Sequence, residues 1–161
     1  AQRYRAMYTE QGVAVDTIIA VQEINTNVPF DFDRRVRAVQ EFRQLSQAKS
    51  LAEANKRVAN ILAKADFSAQ VVDVQLLHEP SEVALYQAVA AATEATKPML
   101  DSADYQALLL TLSHLDKPLN DFFDHVMVNV DDVNLKNNRL ALLSQIRMLF
   151  LSVADIGLLQ G

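Results

Sequence analysis

The sequence predicts an all-α protein, a helical bundle of about seven to eight helices with a long, heavily apolar last helix packed in the middle. Three observations lead there. Only 3 Gly and 4 Pro interrupt 161 residues, while Ala, Leu, Gln and Glu, which suit helices, are plentiful. Apolar residues recur at spacings of three, four and seven rather than two. Several of these periodic runs begin at residues that cap helix starts. A chain of this length buries a sizeable core unaided, so one compact body is expected.

The elements follow in order. Arg3 to Val21 reads as two short helices broken at Gly12, with Asp16 placed to cap the second. Residues 1–28 are expected to act as a helical connector and residues 29–161 as the main domain. Pro29 closes what precedes it, and Asp31 or Asp33 opens a helix through PFDFDRRVRAVQEF. That helix sets Phe32, Val36, Val39 and Phe42 on one side and turns Arg34 and Arg37 away from it. Ser50 and Glu53 have the spacing of a capping box ahead of LAEANKRVANILAK. At 100° per residue, Leu51, Ala54, Val58, Ile61, Leu62 and Ala65 form an apolar stripe, and Lys56, Arg57, Asn60 and Lys64 gather opposite it. Asp66 to Glu79 has mixed periodicity and reads as a loop with a short helix at most.

Pro80 suits the first turn of a long Ala-rich helix ending near Lys97-Pro98. Asp101 or Ser102 then caps another running to about Leu115, and Asp116 with Pro118 starts the helix containing NDFFDHV. A short β-prone stretch, Val126 to Val130, stops at Asp131-Asp132, a strong helix start. In the last helix Leu135, Leu142, Ile146, Leu149, Phe150 and Val153 repeat in the manner of a helix with several neighbours.

Composition narrows the function. Cysteine is absent, which removes disulfides and thiolate metal sites and is compatible with a reducing cytoplasm. No apolar run approaches the roughly 20 residues needed to span a bilayer, so no membrane partner is expected. The chain opens at Ala1 without a basic-then-apolar leader, and is expected to be a piece of a longer protein. The net charge of -5 argues superficially against a polyanionic partner. Residues 34–64, however, hold Arg34, Arg35, Arg37, Arg43, Lys49, Lys56, Arg57 and Lys64 against Glu41 and Glu53, a net +6 that leaves -11 for the remainder. Such segregation fits a phosphate-facing surface, or a basic helix packed on acidic ones.

Catalytic chemistry is not evident. Gly12, Gly157 and Gly161 are too scattered for a phosphate loop. Ser113 and His114, as helix neighbours, point apart, and His78 stands alone. Asp121, Asp124 and His125 share a helix face, but three side chains fall short of a metal site, and pairing with Lys117 accounts for them. No catalytic and no metal-binding residue is therefore assigned.

LAEANKRVANILAK (51–64), FFDHVMV (122–128), DDVNLKNNRLALL (131–143) and LFLSVADIGLL (149–159), with PFDFDRRVRAVQEF and RYRAMYTEQG ahead of them, are collinear along nearly the whole chain. Together they resemble the C-terminal region of bacterial glycyl-tRNA synthetase β subunits, including the DALR-type anticodon-binding module also found in arginyl enzymes. The arginyl module matches the last two helices but not NKRVANIL or FFDHVMV.

The resemblance implies a helical anticodon-binding domain in a cytoplasmic ligase that joins glycine to its tRNA. The parent enzyme would use ATP and magnesium, with no cofactor in this segment. The implied partners are glycine tRNA and the synthetase α subunit, with no DNA. A helical module that docks subunits and never touches RNA is the alternative.

This copy departs from the name-giving pattern, reading Asp132, Val133, Asn134, Leu135, Lys136. Lys at the family's Arg position cannot reproduce a bidentate guanidinium contact. Gly157 stands where the family closes with serine. Arg139 falls inside the apolar stripe of the last helix, which points to a structural ion pair with Asp155 or an acid on a neighbouring helix rather than an RNA contact. Phe122, Phe123 and Phe150 either stack on splayed bases or, as their helical spacing favours, fill the core. Anticodon loops are single-stranded, so a reader needs cations for phosphates and amide or guanidinium groups for base edges. Lys56, Arg57, Asn60 and Lys64 offer both on one face, and Arg34 and Arg37 are expected to extend it.

Overall fold

A computed structural model describes residues 2–24, 29–66 and 70–160; parts of the expected connector and of the 66–79 loop, and Gly161, lie outside the described residues. Eight α-helices are present among them: α1 (Gln2–Glu10), α2 (Val15–Gln22), α3 (Pro29–Phe42), α4 (Ala48–Lys64), α5 (Pro80–Asp101), α6 (Tyr105–Leu112), α7 (Asp116–His125) and α8 (Val133–Leu151). Short 3-10 turns at Val74–Leu76, Ser113–Leu115 and Ile156–Leu158 complete the described elements, with no strand among them. The all-α expectation holds, and the β-prone residues 126–130 form an irregular link between α7 and α8.

α8 lies at the centre. Six consecutive residues, Asn138 to Leu143, are buried, which a helix achieves only when neighbours surround it. Its start is capped as the sequence indicates, with the Asp132 carboxylate accepting from the amides of Asn134 at 3.0 Å and Leu135 at 3.2 Å. α4, α5 and α6 pack around it. Asn138 clamps the segment before α5, accepting from the Asp73 amide at 2.7 Å and donating to the Asp73 carbonyl at 3.0 Å.

Several boundaries differ from the expected ones for identifiable reasons. α3 begins at Pro29 itself, not at Asp31 or Asp33. Asp16 does not cap α2; Ala14 holds that position, and the Asp16 carboxylate instead pairs with Arg43 at 2.6 Å. Ser50 and Glu53 do not form a capping box, because α4 already begins at Ala48. The Ser50 hydroxyl donates to Asp116 at 2.7 Å and accepts from Asn120 at 2.9 Å, tying α4 to α7. α5 runs through Pro98 to Asp101. Pro98 has no amide to give the Glu94 carbonyl one turn back, and the helix ends within three residues of it.

α5 stops three residues later in a Schellman turn, with Asp104 N–H donating to Met99 O at 2.8 Å and Ala103 N–H to Leu100 O at 3.1 Å. Ala103 takes the left-handed conformation there, φ 55°, where glycine is usual. Asp104, not Asp101 or Ser102, then caps α6. The same turn closes α1 with the expected Gly12, at φ 83°.

The opening helices pack on the rest of the described chain. Tyr8, Val13, Ile18, Ala20 and Val21 are buried in the same hydrophobic core as α3, α4 and α8. The amide of Asp155 also donates to the Ala20 carbonyl at 2.9 Å, so both ends of the described chain close on one body.

Candidate nucleic-acid interface

α4 sets out its side chains as its periodicity requires. Leu51, Ala54 and Val58 are buried, Ile61 and Leu62 pack against the core, and Lys56, Arg57, Asn60 and Lys64 are exposed. The rear of the helix is held closely. Gly157 in the terminal 3-10 turn lies against the α4 backbone, where an added Cβ would sit 2.9 Å from Lys56 N and 3.1 Å from Lys56 Cα.

Arg57, Ile61 and Lys64, spaced four and three apart, form one wall of a groove of about 560 Å³. Phe123 and residues 126–129 form the other wall, and Lys136 and Leu140 of α8 contribute from its first turns. The Arg57 guanidinium lies over the Phe123 ring, 4.1 Å from its centroid, and that ring meets Phe122 edge-on. Arg57, Lys64 and Lys136 line the groove, no acid does, and none of the three forms an ion pair among the described residues. The arrangement can hold an anion and present a flat cationic surface to an aromatic ligand. Sequence reasoning missed Lys136 as a member of this surface; its place in the name-giving segment of the family was the available signal.

Arg34 and Arg37 do not extend the α4 face. They line a separate groove between α3 and the start of α6, together with Asp33 and Asp104. Arg34 covers the Phe30 ring at 4.7 Å, and Arg37 is engaged by Gln11 at 2.5 Å and Asp33 at 3.5 Å. Two further cations of the basic segment are internal struts. Arg35 pairs with Asp31 at 2.7 Å, lies over the Tyr105 ring and donates to the carbonyls of Ser152 and Val153 at 2.6 and 3.0 Å, closing the end of α8. Burial and the hydrogen bond that the Tyr105 hydroxyl donates to Asp31 hold that phenol above its ordinary pKa. Arg43 bridges Asp16, Thr17 and the carbonyl of Gln160. Burial alone would raise the Asp16 carboxyl, but hydrogen bonds from Arg43 and the amides of Gln160 and Thr17 prevail and hold it below 3.8.

Arg139 makes the structural ion pair, with Glu82 as its partner. Nε and Nη2 donate to the two carboxylate oxygens at 3.0 and 3.1 Å, both side chains being buried, and Nη1 donates to the Met127 carbonyl at 2.6 Å. Asp155 is taken by Arg147 at 2.6 and 3.0 Å. Phe122 and Phe150 are core residues, whereas Phe123 is half-buried on the groove. Lys117 reaches Asp121 at 3.4 Å, and no group of three or more potential metal ligands converges among the described residues.

Fold and site thus define a compact all-helical module with an outward basic helix and a cation-lined groove beside it. Residues 51–156 match the DALR anticodon binding domain, and the chain belongs to that family. It is 52% identical over 160 residues to the glycine–tRNA ligase β subunit of Acinetobacter baylyi, covering 99% of this chain and 23% of that protein. To the same subunit of Aliivibrio fischeri strain MJ11 it is 50% identical over 159 residues, 98% of this chain and 23% of the relative. The chain therefore spans about a quarter of the length of these relatives.

Proposed function

We propose that this chain is the tRNA-binding, anticodon-recognising module of a glycine–tRNA ligase β subunit, and that it grips tRNA through Lys56, Arg57, Asn60 and Lys64. The carrying observation is that this exposed α4 face, whose cations form no ion pair among the described residues, falls inside the DALR-matched region. The parent enzyme would attach glycine to its tRNA using ATP and magnesium in the cytoplasm, with the α subunit as its partner. Residues 29–161 would form the RNA-binding body, buttressed by residues 1–28.

Electrophoretic titration of the chain with glycine tRNA and an anticodon-swapped tRNA tests the reading. Binding should weaken steeply with salt and favour the correct anticodon. Combining Lys56→Glu, Arg57→Glu and Lys64→Glu should flatten the log affinity against log salt slope by roughly 2, at about 0.7 per single-strand phosphate contact. Equal binding to both tRNAs would overturn the specificity, and an unchanged salt slope would overturn the face.

Subunit docking without RNA contact is favoured by a different observation. A groove of about 570 Å³ between α5 and α8 is lined by Leu100, Met148 and Leu149, with Met148 69% exposed. Co-purification of the α subunit with this chain, abolished by Met148→Glu, supports that reading, and retention of tRNA binding by the same variant separates the two.

A further inference from the structure

The geometry points to a nucleobase pocket in the groove between α4, α7 and α8, in which one unstacked base of single-stranded RNA lies on the Arg57–Phe123 pair while Lys64 and Lys136 hold its flanking phosphates. The inference rests on the RNA-binding reading and adds to it a specific receiving site.

Four features define the ligand. Three cations without an acid among the lining residues select negative charge. The guanidinium stacked 4.1 Å over Phe123 makes a planar shelf whose outer face remains available, and such planes receive bases. On the same wall as Phe123, Met127 is 71% exposed, an apolar, adaptable side chain suited to contact with a flat ring. Asn129, which also lines the groove, carries an amide able to donate to and accept from a base edge. A volume of about 560 Å³ lies within the ~300–1,000 Å³ usual for small-ligand sites. A flat ring with a polar edge and adjacent negative charge describes a nucleotide, whereas an acidic peptide would leave the shelf unused.

The walls are fixed before any ligand arrives. Phe123 is braced edge-on by fully buried Phe122, and Arg139 holds the Met127 carbonyl from inside the core. Arg139 is accordingly a positioning residue for the far wall and makes no RNA contact itself.

The test is an abasic scan of the single-stranded loops of glycine tRNA, titrated against the chain and against two variants that thermal melting shows to be folded. Arg57→Lys keeps the charge and removes the plane; Phe123→Leu keeps apolar bulk and removes the ring. With the unaltered chain, one loop position should lose roughly tenfold in affinity, the scale of a single stacked base. That loss should shrink to within about twofold in either variant. If Phe123→Leu does not fold, Arg57→Lys decides alone.

A flat scan, or an equal loss in wild type and variants, overturns the pocket while leaving the RNA-binding reading standing. No binding of the unaltered chain to any tRNA overturns both. Competition by poly-glutamate as strong as that by tRNA assigns the groove to an acidic polypeptide and overturns the base pocket.

Discussion

Arg139→Met offers a sharp test of how the core is built. The substitution keeps much of the apolar stem and removes two hydrogen bonds to Glu82 and one to the Met127 carbonyl. Breaking a buried pair from one side costs about 3–5 kcal/mol, because the remaining charge has lost its partner. Glu82 is not wholly stripped: its carboxylate still accepts from the amides of Glu79 at 3.0 Å and His78 at 3.3 Å at the start of α5. Those donors place the expected loss at the lower end, about 3 kcal/mol. For a chain of this size that lowers Tm by about 6–12 °C.

Urea melts of Arg139→Met, Glu82→Gln and the double variant measure it. The double variant should be more stable than the sum of the single losses by about 2 kcal/mol, since each single change already forfeits the shared contacts. Amide exchange should also quicken in residues 126–129, which lose the hydrogen bond that Arg139 donates to the Met127 carbonyl. A loss below about 1 kcal/mol, or strictly additive singles, would refute the coupling. Weakened tRNA binding at unchanged stability would instead make Arg139 an RNA contact.

Two further outcomes follow. Ala103→Gly should stabilise the chain by about 0.5–1 kcal/mol in the same melts, because a left-handed alanine costs about 1–2 kcal/mol and glycine's greater freedom when unfolded returns only part of it. Asp16, held below its ordinary value when folded, contributes stability that is present above about pH 4 and lost as pH falls through the folded value. Asp16→Asn should therefore be less stable at pH 7 by about 1 kcal/mol and show a shallower decline in Tm below pH 4.

What was legible in the sequence was whatever the helical repeat reports directly. The burial of Leu51, Ala54 and Val58 and the exposure of Lys56, Arg57, Asn60 and Lys64 follow from 100° per residue, and Asp132 caps α8 as its chemistry requires. Illegible were side chains whose partners lie far along the chain. Ser50 has the spacing of a cap but is claimed by Asp116, and Arg35 counts as a surface charge until α8 presents its terminal carbonyls more than a hundred residues later. The groove was hidden for the same reason. Arg57, Phe123 and Lys136 belong to three helices, and no single repeat joins them.

Gly157 gives the basic helix a property beyond stability. With only hydrogen facing α4, the terminal turn rests directly on the backbone that carries Lys56, leaving that stretch little room to bow or slide. Loss of motion on association opposes affinity, and a face already stilled has less motion left to lose. A side chain at residue 157, even one as small as the serine of the family pattern, would have to lift this turn away from α4. A residue that touches no partner would then govern how tightly the opposite side of the helix can hold one.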